Sequence, residues 1–349
     1  MNYKLRENVI ECLSATSETS QVVALMDSEE YEQFVAVNMA NYDFGFELPL
    51  VDVDEVASDF IGILKEFNPE ILITAWRTPY LPEDLPQQLP SLQYIAHCCG
   101  TVQPILPRFL IEKGLLVTNW GPTAARDVAE HCLMQTLASL RKVSKFQQQM
   151  HFKGKWRDEE VSVSSLFNKK VGIYGTGNSA QQYAKLLKAF DCEISMYSLG
   201  IPEDLDPCIY VARDIKEIFA DNDVVVVLEA ANKDTYGSVD KQLLSLIKPG
   251  GIFVNSARGI IVNQEDLTDI ALKGEILIAL DVYEPEPLDK NSLLRGCENV
   301  LLTPHVAGPT KDNRALCGLY CLRNVENYLL GKPVKSIITT DDYDRMSPN

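Results

Sequence analysis

Short apolar runs alternate with longer stretches in which apolar residues recur every three or four positions, and this rhythm persists along nearly the whole chain. Runs at Val22–Met26, Ile71–Ala75, Leu92–Ala96 and Leu115–Asn119 read as strands. Between them Val56–Phe67 reads as a helix, with Val56, Phe60, Ile63 and Leu64 at helical spacing. After Asn119 the pattern predicts one long helix from Arg126 to about Met150, with Val128, Cys132, Leu133, Leu137 and Leu140 on one face. A helix of some 25 residues would span roughly 37 Å, a length that suggests a bridge between domains, an oligomer contact, or both. A second series begins at Lys170, with strands at Val171–Tyr174, Glu193–Tyr197, Val224–Leu228, Ile252–Asn255, Leu277–Asp281 and Val300–Thr303. A last helix follows at about Asp312–Leu330, and Asp341–Asn349 reads as a loosely held polar tail. Alternation of this kind predicts an α/β fold with parallel sheets.

Composition narrows the class. At 349 residues the chain exceeds one ordinary core and suits two domains. Asp and Glu outnumber Lys and Arg by 49 to 32, a formal charge of −17 that argues against nucleic acid as a partner, since phosphate binding needs a basic face. Screening over about 8 Å at physiological salt still permits a local cationic pocket for a small anion. No apolar run approaches the roughly 20 residues that cross a bilayer, so no membrane partner is expected. Met1–Ser20 carries Glu7, Glu11 and Glu18 without a continuous apolar stretch and does not read as a secretory leader. Nine cysteines without paired CxxC spacing read as reduced thiols of a cytoplasmic protein and suggest no metal site.

Four segments carry candidate chemistry. The first, from Val171 to Ala180, reads strand, then Gly175-x-Gly177-x-x-Ala180, then helix. Gly175 permits the tight turn, Gly177 lets a pyrophosphate approach the backbone, and Ala180 keeps helix and strand close. Asn178 and Ser179 open the helix, whose free N–H groups favour phosphate. The acidic residue expected at the end of the next strand, for the ribose, falls at Ser198; Glu203 or Asp204 stands nearby as a substitute. In the second segment, Asn255-Ser-Ala-Arg258-Gly259, an arginine follows an apolar strand, where its planar fork suits a carboxylate. The third, Asp281-Val-Tyr-Glu-Pro-Glu286-Pro287, and the fourth, Thr303-Pro-His305-Val-Ala-Gly308, also end strands. Of the four histidines, His305 is placed at a sheet edge before small residues; His97 also ends a strand, and His131 and His151 read as packing or surface residues of the long helix.

In this order the segments resemble the D-isomer-specific 2-hydroxyacid dehydrogenase family, over about Ile71 to Pro333. The resemblance implies that Arg258, Glu286 and His305 form the catalytic set. It implies a flavodoxin-like substrate domain, residues 1–122 completed by 309–349, with a Rossmann dinucleotide domain, residues 123–308, inserted into it. Both are doubly wound parallel-sheet domains. It assigns Gly100-Thr101-Val102 to a loop whose backbone meets the substrate carboxylate, which Arg258 also binds. The cofactor set becomes Gly175, Gly177, Asn178, Ser179, Ser198, Ala257 and Asp281, the last near the nicotinamide carboxamide. The chain departs from the family pattern at Gln103-Pro104, where an Asp is usual, at Ser198, and by one residue fewer between Arg258 and Asp281.

The implied reaction passes a hydride between a nicotinamide and a small D-2-hydroxy acid or 2-keto acid of the glyoxylate, hydroxypyruvate or 3-phosphoglycerate type. His305 would exchange the proton, Glu286 would orient the ring and favour its protonated form, and Arg258 would clamp the carboxylate and polarise the carbonyl. Glu286 disfavours a formate enzyme, in which glutamine stands at that place, whereas a phosphite-type dehydrogenase stays open. An NAD(H)-binding corepressor, the non-enzymatic alternative, would be expected to carry partner-binding extensions beyond the short lead and tail seen here. The long helix and the resemblance together predict a homodimer. NAD is expected over NADP, because Leu199 to Ala212 holds no Lys or Arg but does hold Glu203, Asp204 and Asp206. Without an acid at Ser198 that preference should be weaker, and NADP stays open.

Overall fold

A computed structural model of the chain describes residues 21–56, 59–156, 161–203, 205–344 and 346. The readings of Met1–Ser20 and Asp204 lie outside the described residues. Two compact units emerge: residues up to Thr123 together with those from Lys311 onward, and Ala124–Thr310.

The first unit holds a parallel sheet of β1 (Val22–Met26), β2 (Leu50–Asp52), β3 (Ile71–Thr74), β4 (Tyr94–His97) and β5 (Leu116–Thr118), in the order β2-β1-β3-β4-β5. This is the flavodoxin-like order. Its central strands are apolar on both faces because helices cover both, and β1, β3 and β4 are buried throughout. The helix Arg314–Leu329 packs here so closely that a Cβ on Gly318 would lie 1.6 Å from the Phe34 carbonyl oxygen.

The second unit holds β6 (Lys170–Tyr174), β7 (Glu193–Tyr197), β8 (Tyr210–Val211), β9 (Val224–Val227), β10 (Ile252–Asn255), β11 (Leu277–Leu280) and β12 (Val300–Leu302). The order is β12-β11-β10-β9-β6-β7-β8, all pairs parallel. It reverses between β6 and β9, the point at which open α/β sheets bind ligands.

Two expectations need correction. The long helix is two, Ala125–Leu140 and Val143–Phe152, separated at Lys142, whose φ is +50°. The break lets the second helix turn onto the sheet, where Ser144 Oγ donates to the Val300 carbonyl of β12 (2.7 Å). Apolar periodicity runs on through Arg141 and Lys142, so the pattern alone did not reveal it. The supposed loose tail is also anchored over its described part. Thr340–Asp344 is helical, Tyr343 Oη donates to the Leu106 carbonyl (2.7 Å), and Gln103 Nε2 donates to that of Tyr343 (2.6 Å). The short edge strands β2 and β8 were not anticipated.

Candidate active site

Three strand ends of the second unit converge. After β10 the chain turns sharply because Asn255 ties it down: its Oδ1 accepts from the Ala257 amide (3.1 Å) and its Nδ2 donates to the Arg258 carbonyl (3.1 Å). The turn lies against the segment after β11, where a Cβ on Gly259 would stand 1.9 Å from the Tyr283 carbonyl oxygen. Only glycine fits there. Arg258 donates from one terminal nitrogen to the Ala257 carbonyl (2.7 Å), while its Nε is buried without a hydrogen-bond partner among the described residues. Burial lowers the guanidinium pKa from its ordinary value, against the opposing pull of Glu286. A buried cation with donors to spare suits a carboxylate ligand.

Glu286 Oε1 accepts from the Tyr283 amide (3.0 Å), and Oε2 lies 2.6 Å from His305 Nδ1. His305 is 45% exposed at its side chain and has a φ of +53°. With its Nδ1 proton directed at Glu286, Nε2 is left to exchange a proton, the arrangement expected of a general acid–base. The pair borders a cavity of about 570 Å³ lined also by Tyr283, Leu288, Arg295 and Leu302.

The unusual backbone at His305 is held from below. Its amide donates to the Asp281 carbonyl (2.8 Å), and the Asp281 carboxylate accepts from the amides of Val306 (3.0 Å) and Ala307 (2.8 Å) and from Thr303 Oγ1 (2.6 Å). Burial pushes the Asp281 carboxyl up, but hydrogen bonds from His131, Thr303 and the two amides outweigh it and hold the group at about 2. Thr303 Oγ1 in turn lies 3.1 Å from His131 Nε2 and accepts from Gln135 Nε2 (3.2 Å), and Gln135 Oε1 accepts from Ser256 Oγ (2.7 Å). One buried network thus links the arginine turn to the histidine loop.

At the end of β6, Gly175 has a φ of +126°, and a Cβ there would meet the Leu228 carbonyl oxygen at 2.5 Å. Gly177 caps the helix Asn178–Leu187 and has open space where a side chain would be, while Ala180 is fully buried. Asn178 and Ser179 therefore supply first-turn amides that a helix cannot satisfy itself. The turn fits a dinucleotide pyrophosphate.

The model of the D-isomer specific 2-hydroxyacid dehydrogenase NAD binding domain matches residues 133–307. Glyoxylate/hydroxypyruvate reductase A of Arabidopsis thaliana is 30% identical over 70% of this chain and 77% of its own length. The chain belongs to the D-isomer specific 2-hydroxyacid dehydrogenase family. A hydroxypyruvate reductase of Blautia hydrogenotrophica is 26% identical over 82% of this chain and 89% of its own. In fold, the chain matches the D-lactate dehydrogenase with NAD+ from Lactobacillus jensenii with a TM-score of 0.78 and 21% identity, over 91% of this chain and 99% of the other. This dehydrogenase is accordingly an oxidoreductase of CH–OH donors with a nicotinamide cofactor.

The other sequence-marked residues of the dehydrogenase fall as follows. Ala257 is buried within the arginine turn. Ser198 directly follows β7, and its Oγ accepts from the Gly200 amide (3.4 Å). Glu203 is exposed, and Asp206 is paired with Lys188. In the first unit Thr101 and Val102 follow β4, and Val102 lies in the core with 0% exposure, its carbonyl accepting from the Ile105 and Leu106 amides. His97 is 1% exposed with Nδ1 2.9 Å from Thr74 Oγ1, and burial pushes its pKa down to about 3. It is a core residue. Missed in the sequence were His131, Gln135, Ser256 and Thr303; His131 and Gln135 stand four apart on one helix, a spacing that put them on a shared face but named no partner. Among the described residues no helix is long and apolar enough to cross a membrane.

Proposed function

We propose that this enzyme reduces a small 2-keto acid of the glyoxylate or hydroxypyruvate type to its D-2-hydroxy acid with NADH, in the cytoplasm. The observation that carries the reading is the 2.6 Å His305–Glu286 pair on the same sheet edge as Arg258, whose buried Nε has no partner among the described residues. Both reductase relatives are consistent with that substrate class. His305 Nε2 delivers the proton to the C2 oxygen, Glu286 orients the ring, and Arg258 binds the carboxylate and polarises the carbonyl. Residues 1–122 with 309–349 serve as the substrate domain and 123–308 as the dinucleotide domain.

Gly175, Gly177, Asn178 and Ser179 hold the pyrophosphate, Ser198 lies by the adenosine ribose, and Ala257 and Asp281 face the nicotinamide end. The bound cofactor supplies the hydride. The acidic surroundings of Glu203 and Asp206 favour NAD over NADP, and Lys188, a cation there, is already paired with Asp206. A homodimer is supported by Met150, Phe152 and Trp156, exposed by 47%, 85% and 83% on and just beyond the second of the two helices. A panel of 2-keto acids scored by loss of NADH absorbance, with phosphite plus NAD+ scored by its gain, tests the reading. Saturable turnover is expected with glyoxylate or hydroxypyruvate; turnover only of phosphite, or of nothing, would overturn it.

A further inference from the structure

The dinucleotide turn of the second unit has an acidic neighbour that the pattern of the fold does not call for. Strand β6 is flanked by β7 and β9. The register pairs Tyr174 with Tyr197 on one side and with Val227 on the other, so Ser198 and Leu228 both lie level with Gly175, and Glu229 lies one residue further. A Cβ on Gly175 would stand 2.7 Å from the Glu229 amide nitrogen. Glu229 thus forms one lip of the turn and Ser198 the other, with neighbouring strands about 4.8 Å apart. Neither Gly175 nor Gly177 puts a side chain between them.

Glu229 is also unfinished chemically. Its Oε1 accepts from the Ala230 amide (2.9 Å), whereas Oε2 is buried with no hydrogen-bond partner among the described residues. A buried carboxylate oxygen without a donor is costly. If its whole task were to hold the Ala230 amide, Oε2 could remain in water. Donors that a dinucleotide can bring to this place are its ribose hydroxyls, whereas a further phosphate would bring repulsion. On the other lip, Ser198 offers no charge, and its hydroxyl already receives the Gly200 amide.

We propose that Glu229 supplies the carboxylate for the adenosine ribose hydroxyls that the tip of β7 lacks, and thereby sets the preference for NAD over NADP. This rests on the reading of the Gly175–Gly177 turn as the dinucleotide site. It places the discriminating acid just past the end of β9, the strand after the reversal in sheet order, and one carboxylate does both tasks: it accepts from the 2′-hydroxyl of NAD and repels the 2′-phosphate of NADP.

The test is binding without turnover: dissociation constants of NADH and NADPH measured calorimetrically for the parent, Glu229→Gln and Ser198→Asp enzymes. The parent should prefer NADH. Glu229→Gln keeps shape and an acceptor for Ala230; it should weaken NADH by about tenfold, the loss of one charge-assisted bond, while NADPH binding stays equal or tightens. Ser198→Asp in the parent should gain less than about threefold for NADH, since the hydroxyls are already taken. An unchanged NADH/NADPH ratio in Glu229→Gln, equal weakening of both nucleotides, or a large NADH gain in Ser198→Asp would overturn the proposal. A parent that binds neither nucleotide would instead overturn the dinucleotide reading beneath it.

Discussion

Both sheets end in a row of carboxyl termini, and each row carries a histidine, an arginine and acids, yet the two edges are built on opposite terms. In the first unit the histidine, Glu30 and the thiols are sealed, while Arg77 is exposed. His97 is buried to the point that its pKa falls to about 3, Glu30 is 7% exposed with its pKa raised to about 7, and the thiols of Cys98 and Cys99 are fully buried. Phe34, Trp76 and Trp120 line up beside them, with Trp76 and Trp120 edge to face at 5.8 Å. In the second unit buried Asp281 accepts hydrogen bonds at both carboxylate oxygens, and the histidine is partly open with a carboxylate on one nitrogen. Position at a strand end therefore offers a place for chemistry and no more. A histidine becomes an acid–base when one nitrogen has a charged partner and the other has access; His97 has neither, although both histidines follow the same sequence signature.

The largest effect should separate those two residues. His305→Ala removes the proposed proton donor and should lower turnover by about 10²–10⁴-fold while sparing cofactor binding. His97→Gln should leave turnover near the parent's and register as a lower melting temperature, because it disturbs a buried hydrogen bond to Thr74. Steady-state rates beside thermal melts would decide it; comparable rate losses in both variants would erase the contrast. Next comes Arg258→Lys, in which an ammonium cannot reproduce the fork, with an expected loss of about 10²-fold or more in kcat/KM. Near-parental kcat/KM on the best 2-keto acid would remove Arg258 from the site.

Much of this was legible in the sequence, for physical reasons that differ by element. Apolar runs buried on both faces, such as Val224–Val227 and Ile252–Asn255, announce central parallel strands, and glycines that must be glycine, Gly175 and Gly259, mark where backbone meets backbone. Arg258, Glu286 and His305 stood out because their motifs end such strands. What stayed hidden depends on tertiary partners. The break at Lys142 answers to the Val300 carbonyl, far along the chain, and leaves no trace in helical periodicity. Gln135 and His131 look like polar interruptions of a helix until β10 and β11 are packed against it. The orphan oxygen of Glu229 is likewise a property of neighbours.

Gln135 offers the next test. Replacing it with Leu keeps the helix but strips Ser256 Oγ and Thr303 Oγ1 of their shared partner, loosening the arginine turn from the histidine loop. Turnover per folded molecule should fall by about tenfold, with the KM for cofactor little changed, since small misplacements of reacting groups are amplified in rate. A merely structural role would lower the melting temperature and leave kcat intact.

The smallest effect on turnover, none, is expected from the sealed edge, and there neutralising a charge should stabilise. Burial and the neighbouring Asp27 raise the Glu30 pKa from 4.5 to about 7, although the Arg77 amide donates to both of its oxygens (3.1 and 3.3 Å). The folded value lies above the unfolded one, so the favourable contribution is complete below pH 4.5 and is lost as pH rises through about 7. At 1.36 kcal/mol per unit the full gap between 4.5 and about 7 corresponds to about 3 kcal/mol. Glu30→Gln keeps an acceptor for the Arg77 amide and never ionises. It should therefore raise stability at pH 8 by on the order of 2–3 kcal/mol, seen as a melting temperature higher by roughly 5 °C, with the advantage shrinking as pH falls and gone below the unfolded pKa of 4.5. The Arg77–Asp27 pair at 3.4 Å remains in place in both proteins, so it does not confound the comparison. Were the variant to melt with the parent at pH 8, the Glu30 carboxyl would be ionised without cost, and the first unit's edge would be as open to water as the second's.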